Sequence, residues 1–134
     1  MSIATATMTS PHHVADELAS SVIHGIGIVL SIAGLAVLVA FAALHGNALT
    51  VVACAVFGIS LVLLYTASTL YHSVSVVAAR PALRALDHIA IYVLIAGTYT
   101  PFTLIALPGA WGWGLFVAVW VLALAGSAIR VNGV

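Results

Sequence analysis

The most unusual property of this 134-residue sequence is how little charge it carries. Lys and Arg together account for three residues, Asp and Glu for another three, and charged residues make up 4% of the chain. Hydrophobic residues make up 64%, and the mean hydropathy is +1.29. This composition excludes an ordinary soluble domain and is typical of a protein embedded in a membrane.

Other features that the chain lacks narrow its class further. Cys54 is the only cysteine, so no intramolecular disulfide can form and the redox compartment cannot be read. The net charge is zero and no basic stripe is present, which argues against a nucleic acid partner. Residues 1–15 have no basic n-region and precede an apolar run too long for a signal peptide. We therefore expect a flexible tail, which includes His12 and His13, and no cleaved signal.

Four apolar runs are each long enough to cross a bilayer, which takes about 20 residues. They cover approximately residues 20–44, 48–71, 88–107 and 111–129. The sequence therefore predicts an all-α, polytopic transmembrane helix bundle, with residues 16–134 as the membrane domain. The third run contains Pro101, which cannot donate a backbone hydrogen bond, so we expect a kink near Gly97.

The three arginines predict the orientation of these spans. Arg80 and Arg84 lie between the second and third spans, and Arg130 follows the fourth. With four spans these positions share one side of the membrane, and the loops on the other side contain no Lys or Arg. The positive-inside rule then places the arginines and both termini in the cytoplasm.

Five further ionisable residues, two acids and three histidines, gather at helix ends on that same side. Ionisable groups at membrane depth are costly, so their presence favours a functional role. On the second span, Tyr65, Ser68 and His72 are spaced to form one polar stripe that should face the interior of the bundle. The residues predicted to share this end are Glu17, Ser20, Ser21 and His24 on the first span, Ser68 and His72 on the second, and Asp87 and His88 on the third.

Structural roles are the alternative for several of these side chains. Asp16 or Glu17 could cap the first helix and interact with its dipole. Asp87 could be a first-turn acid of the third helix, paired with Arg84, and His72 could be an interfacial histidine. Small residues within the spans are expected to pack helices closely or to bond back to their own helix. These residues are Gly27, Ser31, Gly34, Ser60 and Ser127.

Three stretches of the chain closely resemble the hemolysin III family of bacterial membrane proteins. They are ELASSVIHGIG at residues 17–27, LYTASTLYHS at residues 64–73 and LDHIAIYVLIAGTYTPF at residues 86–102. Their order and spacing also match, and the resemblance extends from Glu17 to about Arg130. The family is related to the progestin and adiponectin receptors.

The resemblance implies a seven-helix membrane protein with a zinc ion near its cytoplasmic side. It makes His72, in a Ser-x-x-x-His motif, a zinc ligand. It places Asp87 near the metal, where it would hold or activate a water molecule, with Ser68 beside it. Glu17, His24 and His88 would line the same inner cavity. In the related receptors and ceramidases this zinc chemistry accompanies hydrolysis of a lipid amide.

The chain departs from the family in its length. The family's other two zinc ligands, a His-x-x-x-His pair on the seventh helix, have no counterpart before Val134. His24, His88 and Asp87 could supply substitute donors, although they lie on different helices. The sequence could be a fragment, the product of a gene truncated by a frameshift, or a chain that builds a different site as an oligomer. Half a bundle leaves packing faces uncovered, so poor stability or self-association is expected.

These considerations predict a multi-pass protein of the bacterial inner (plasma) membrane whose intact form binds zinc and hydrolyses membrane lipids. Membrane lipids are then the expected partners. The alternative is a pore-forming cytolysin, which would need a polar stripe along the full span of a helix. The concentration of polar residues at one end favours a site over a pore. A third alternative is an inactive remnant that binds no metal. The substrate and a role in lipid homeostasis stay open at this point.

Overall fold

The computed structural model describes residues 11–133, and within them the chain is built from four long helices. They are α1 (Pro11–His45), α2 (Ala48–Ser73), α3 (Arg80–Pro101) and α4 (Gly109–Val131). A 3₁₀ turn, Val77–Ala79, precedes α3, and a π-helical turn, Phe102–Ala106, follows it. All four helices are long and apolar enough to cross a membrane, and the described residues contain no strand. The predicted all-α transmembrane architecture is therefore confirmed.

Two helices begin earlier than the hydropathy predicts. In the described chain α1 starts at Pro11, so residues 11–15 of the expected tail are helical, while residues 1–10 lie outside the described residues. Helix α3 starts at Arg80, well before the predicted span at residue 88. Proline is favoured at the first helical position, and the Ala- and Leu-rich segment after Pro81 has high helix propensity. Hydropathy shows which part of a helix crosses the membrane. Helix propensity determines how far the helix extends beyond the membrane surface.

The early helix starts rule out the capping roles considered for the acids. No acidic residue lies in the first turn of α1 or of α3 as the structure describes them. Asp87 lies about two turns inside α3, and no ion pair between Asp87 and Arg84 is present in residues 11–133. Neither Asp16 nor Asp87 therefore stabilises a helix dipole from a first-turn position.

Each helix packs against the next one in the chain. Close backbone contacts join α1 to α2, α2 to α3 and α3 to α4, but in the described chain no such contact joins α1 to α3 or to α4. The helices form an open row, so α1 and α4 are each covered by one neighbour only. Short turns set this order: between α1 and α2, Asn47 accepts a hydrogen bond from the backbone N–H of Thr50 at 3.0 Å and caps α2.

Glycine allows the closest of these helix contacts. A Cβ added to Gly27 would collide with the ring of Tyr65, and one added to Gly97 would collide with Ser60. Gly34, expected to pack closely as well, has no neighbour within 4 Å of such a Cβ and borders an open groove instead. The expected internal bonds of the serines are confirmed. They run from Ser31 to the carbonyl of Ile28, from Ser60 to that of Phe57 and from Ser127 to that of Ala123, at 2.9, 2.7 and 2.8 Å.

Pro101 distorts the end of α3 in a specific way. The helix continues through Gly97 to Pro101, and the irregularity that the structure shows is a π-helical turn beginning at the next residue, Phe102. The kink expected near Gly97 stays a prediction. Because proline has no N–H, the regular backbone ladder cannot continue through it. The hydroxyl of Thr103 bonds to the carbonyls of Tyr99 and Thr100 at 2.9 and 3.1 Å, and Trp120 of α4 donates to the Thr100 hydroxyl at 3.0 Å. The Thr103 bonds join the irregular turn to the end of α3, and the Trp120 bond joins that end of α3 to α4.

Candidate functional site

An acid from α1 and a histidine from α2 meet at one end of the helix row. Oε2 of Glu17 lies 3.2 Å from Nδ1 of His72, and their side chains are 24% and 22% exposed. A carboxylate can only accept a hydrogen bond, so Nδ1 of His72 carries the proton. In the neutral ring this leaves the Nε2 lone pair available to a ligand.

A second partner holds the same carboxylate oxygen. Nη2 of Arg80, the first residue of α3, lies 3.5 Å from Oε2 of Glu17. The other guanidinium nitrogen, Nη1, donates to the carbonyl of Val74 at 3.4 Å, and the guanidinium carbon lies 5.1 Å from the centre of the Tyr71 ring. Arg80 therefore joins the start of α3 to the α1–α2 pair, and three helices contribute to one polar cluster.

The ring of His24 packs against two other rings at this cluster, those of His72 and Tyr65. Its ring centroid is 5.7 Å from that of His72 and 6.0 Å from that of Tyr65, both in edge-to-face geometry. Nδ1 of His24 is buried and has no hydrogen-bond partner. Gly27, one turn further along α1, allows Tyr65 to approach. The close packing of α1 on α2 thus determines where both histidines lie.

The cluster opens into a cavity of about 600 Å³. Glu17, His72 and Arg80 line it together with Ser21 and Ser73, whose hydroxyl oxygens are 2.9 Å apart. A partly exposed ion pair stabilises a fold by about 0–1 kcal/mol, so stability alone gives little reason to place one here. A carboxylate on Nδ1, by contrast, is the usual device that orients a metal-binding imidazole.

The structure brings together only some of the predicted site residues. Glu17, His24 and His72 form the cluster. Ser68 is buried one turn before His72 on α2, and its side chain makes none of the side-chain hydrogen bonds found among residues 11–133. On α3, His88 bonds through Nδ1 to the carbonyl of Arg84 at 2.7 Å, and Asp87 is half-buried. No contact joins Asp87 or His88 to the Glu17–His72 pair in the described chain.

Sequence reasoning missed the role of Arg80. It treated all three arginines as indicators of membrane orientation, although Arg80 lies only eight positions after the predicted ligand, His72. The sequence did contain a signal for this contact. Arg80 is a cation close in sequence to His72, and Glu17 is an acid predicted at the same end of the bundle. Ser73 was missed as well, although it is the last residue of the matched stretch 64–73.

The histidine chemistry fits a metal ligand, but the described residues do not form a complete metal site. No group of three His, Cys, Asp or Glu side chains close enough to hold a metal ion occurs in residues 11–133. The substitute set of His24, His88 and Asp87 is therefore not assembled there. The described residues provide one candidate metal ligand, His72. Glu17 contacts its Nδ1, which leaves Nε2 available to bind a metal ion. A three-ligand site would need further donors from outside this group.

Comparison with known proteins agrees with these observations. The family model described as "Haemolysin-III related" matches residues 12–133. The "Hemolysin-3 homolog" of Bacillus subtilis (strain 168) is 48% identical over 116 residues, which cover 87% of this chain and 54% of that protein. The "Hemolysin-3" of Bacillus cereus is 48% identical over 118 residues, covering 88% of this chain and 54% of that protein.

These relatives also show what part of the family fold is present. The chain spans about half the length of the curated relatives it matches. No solved structure matches it. A match across nearly all of the described residues, together with four membrane-crossing helices, shows that this multi-pass membrane protein belongs to the haemolysin-III related family.

Proposed function

We propose that this chain carries the histidine half of a zinc site in a membrane-embedded hydrolase of lipids, in the inner membrane of a bacterium. His72 would hold the metal through Nε2, and Glu17 would fix the ring through Nδ1. The observation that carries the proposal is the 3.2 Å contact between Oε2 of Glu17 and Nδ1 of His72. The remaining ligands would come from a part of the protein beyond the described residues.

A zinc ion bound there would polarise a carbonyl group and make a water molecule a stronger nucleophile. The chain's own residues would prepare the site for that chemistry. Arg80 and His72 hold the Glu17 carboxylate in place, since both contact the same oxygen. Asp87, on the neighbouring helix, would accept a proton, and Ser68 would support the histidine from the preceding turn of α2. A lipid amide is the substrate class that the related receptors suggest.

The metal content of purified protein tests the first part of the proposal. We expect protein isolated from its own membranes to contain zinc, and His72→Ala to lose it. His45→Ala is the matched control, because His45 lies at the opposite end of α1 and bonds only to the carbonyl of Phe41, at 3.1 Å. Equal zinc content in the His72→Ala and His45→Ala proteins would exclude His72 as a ligand.

Hydrolysis of a fluorescent lipid amide tests the second part. Asp87→Asn should retain zinc and lose most of the activity, because the amide cannot accept the proton. Activity that survives both His72→Ala and a zinc chelator would contradict the hydrolase.

A pore is the competing function, suggested by the relatives' names. In residues 11–133 Glu17 and the three arginines gather at one end of the helices, and the groove between α1 and α2 is almost entirely apolar. Both features argue against a water-filled channel. Dye release from vesicles that is unchanged by His72→Ala and by chelation would favour the pore instead.

A further inference from the structure

All three arginines of the chain line one shallow pocket beside the candidate site. The pocket has a volume of about 570 Å³, and Arg80, Arg84 and Arg130 border it together with Glu17, Tyr71 and His13. We call Arg80, Arg84 and Arg130 with their shared cavity the arginine pocket. Arg80 and Arg84 lie in the first two turns of α3, and Arg130 lies in the last turn of α4. The ends of two membrane-crossing helices thus concentrate the chain's entire guanidinium charge.

Within residues 11–133 the acidic side chains do not neutralise this charge. Glu17 is the only acid that lines the pocket, and its ion pairs within residues 11–133 are with Arg80 and His72. The other two acids, Asp16 and Asp87, do not border the pocket. Arg84 and Arg130 therefore lack a counter-charge in the described chain. Two uncompensated guanidinium groups in one cavity attract an anion.

The environment of Arg130 distinguishes the pocket from a set of solvated surface charges. Nε of Arg130 is buried and has no hydrogen-bond partner. A buried donor without a partner is costly, so such groups are usually satisfied by a ligand or an ordered water molecule. Arg84, by contrast, is exposed, and its side chain makes no ion pair or hydrogen bond in residues 11–133. The pocket therefore combines one buried donor with one exposed guanidinium group.

Its depth in the membrane indicates which anion would reach it. Helix α4 is 23 residues long, so its last turn lies at the surface of the bilayer that the helix crosses. Phosphate groups of lipids occupy that level, and basic pockets between transmembrane helices recognise anionic headgroups. We propose that the arginine pocket binds the phosphate group of an anionic phospholipid. Arg84 and Arg130 bind it directly through their guanidinium forks, while Arg80 contributes charge and remains with Glu17.

Lipid binding measured by native mass spectrometry tests this assignment. The full chain is released from detergent micelles that contain either phosphatidylglycerol or phosphatidylcholine, and the affinities for the two lipids are compared. We expect phosphatidylglycerol to be preferred. Because each arginine near a membrane surface contributes roughly a fivefold attraction, Arg84→Gln should reduce the preference about fivefold and Arg84→Gln with Arg130→Gln about 25-fold. Lysine at both positions keeps the charge and should retain most of the preference.

Two further measurements are needed. One shows whether the variant is folded, and the other distinguishes binding of the lipid from binding of inorganic phosphate. Arg84→Gln is the cleaner variant, because Arg84 is exposed, and it should leave the helical circular dichroism and the zinc content unchanged. Inorganic phosphate is then titrated into protein held in phosphatidylcholine alone. Arginine-dependent binding of inorganic phosphate there would identify the phosphate group itself as the ligand. Arginine dependence seen only with phosphatidylglycerol would identify the lipid.

The proposal is overturned if the double glutamine variant prefers phosphatidylglycerol as strongly as the original protein and inorganic phosphate shows no arginine dependence. It is also overturned if the variant binds both lipids equally less well, since the arginines would then support only general lipid contact. Neither outcome depends on whether His72 binds zinc.

Discussion

At the scale of single residues, Glu17 determines the chemistry of the site. It lies in a chain with only three acids, yet one of its oxygens contacts both His72 and Arg80. The contact with Nδ1 selects the tautomer of His72 and so determines which nitrogen can bind a metal. Losing this carboxylate would leave the imidazole free to rotate and to exchange its proton between the two nitrogens.

In the proposed zinc site, replacing Glu17 should therefore weaken zinc binding without removing a ligand. We expect Glu17→Gln to lower zinc affinity by about 10- to 100-fold, the usual effect of losing a group that orients a metal-binding histidine. Competition with a zinc-chelating dye measures the change. Asp16→Asn is the matched control, because Asp16 is the neighbouring acid, is exposed and has no ion pair in the described chain. Equal zinc affinities for the two variants would show that Glu17 does not orient the metal ligand.

The grouping of Glu17, His24 and His72 could be predicted from the sequence, because costly polar residues at the ends of consecutive spans must lie at one membrane depth. The position of Asp87 could not. Its expected place at the start of the third helix depended on where apolarity begins, whereas α3 begins at Arg80. The contact of Arg80 with Glu17 depends on a side-chain direction that neither periodicity nor hydropathy specifies.

At the scale of helices, the α1–α2 contact positions the histidines. Gly27 lies against the Tyr65 ring, and that ring packs edge-to-face on His24. A methyl group at Gly27 must displace Tyr65 or separate the helices, because the added Cβ would overlap the ring. Overpacking of this kind usually costs about 1–3 kcal/mol.

Gly27→Ala should accordingly destabilise the fold, whereas Gly25→Ala should not. Gly25 lies on the same helix and has open space around its would-be Cβ, so alanine there should be neutral or slightly stabilising through helix propensity. Thermal unfolding in detergent, followed by circular dichroism, compares the two variants. If both unfold at the temperature of the original protein, α1 and α2 do not pack through Gly27.

The sequence predicted the number and type of the helices but not their limits. Apolar runs of membrane length are unambiguous because no other secondary structure satisfies the backbone in lipid. Helix ends outside the membrane depend instead on local propensity, as the start of α3 at Arg80 shows. The π-helical turn after Pro101 was foreseen only as a kink, since the sequence does not show how the freed carbonyl groups find new partners.

At the scale of the whole molecule, the open row of helices leaves much apolar surface uncovered. Only 6% of the membrane window of α4 and 17% of that of α1 is buried. The groove between α1 and α2, about 680 Å³, is lined by small, aliphatic and aromatic residues that include Gly34, Leu38 and Phe41. The matched residues make up 54% of each curated relative, so the remaining part of a relative's chain can cover surfaces that are open here.

The isolated chain should therefore self-associate in membranes. Exposed apolar surface alone gives no driving force in lipid, but a groove bordered by glycine and alanine allows close van der Waals packing between helices. Sedimentation equilibrium in detergent should give a protein mass above the 13.7 kDa of one chain, falling towards it on dilution. Co-expression with the unmatched part of the Bacillus subtilis relative should convert the oligomer into a one-to-one complex, because that segment would compete for the same faces. A mass of 13.7 kDa at every concentration would instead show that lipid alone satisfies the open faces of α1 and α4.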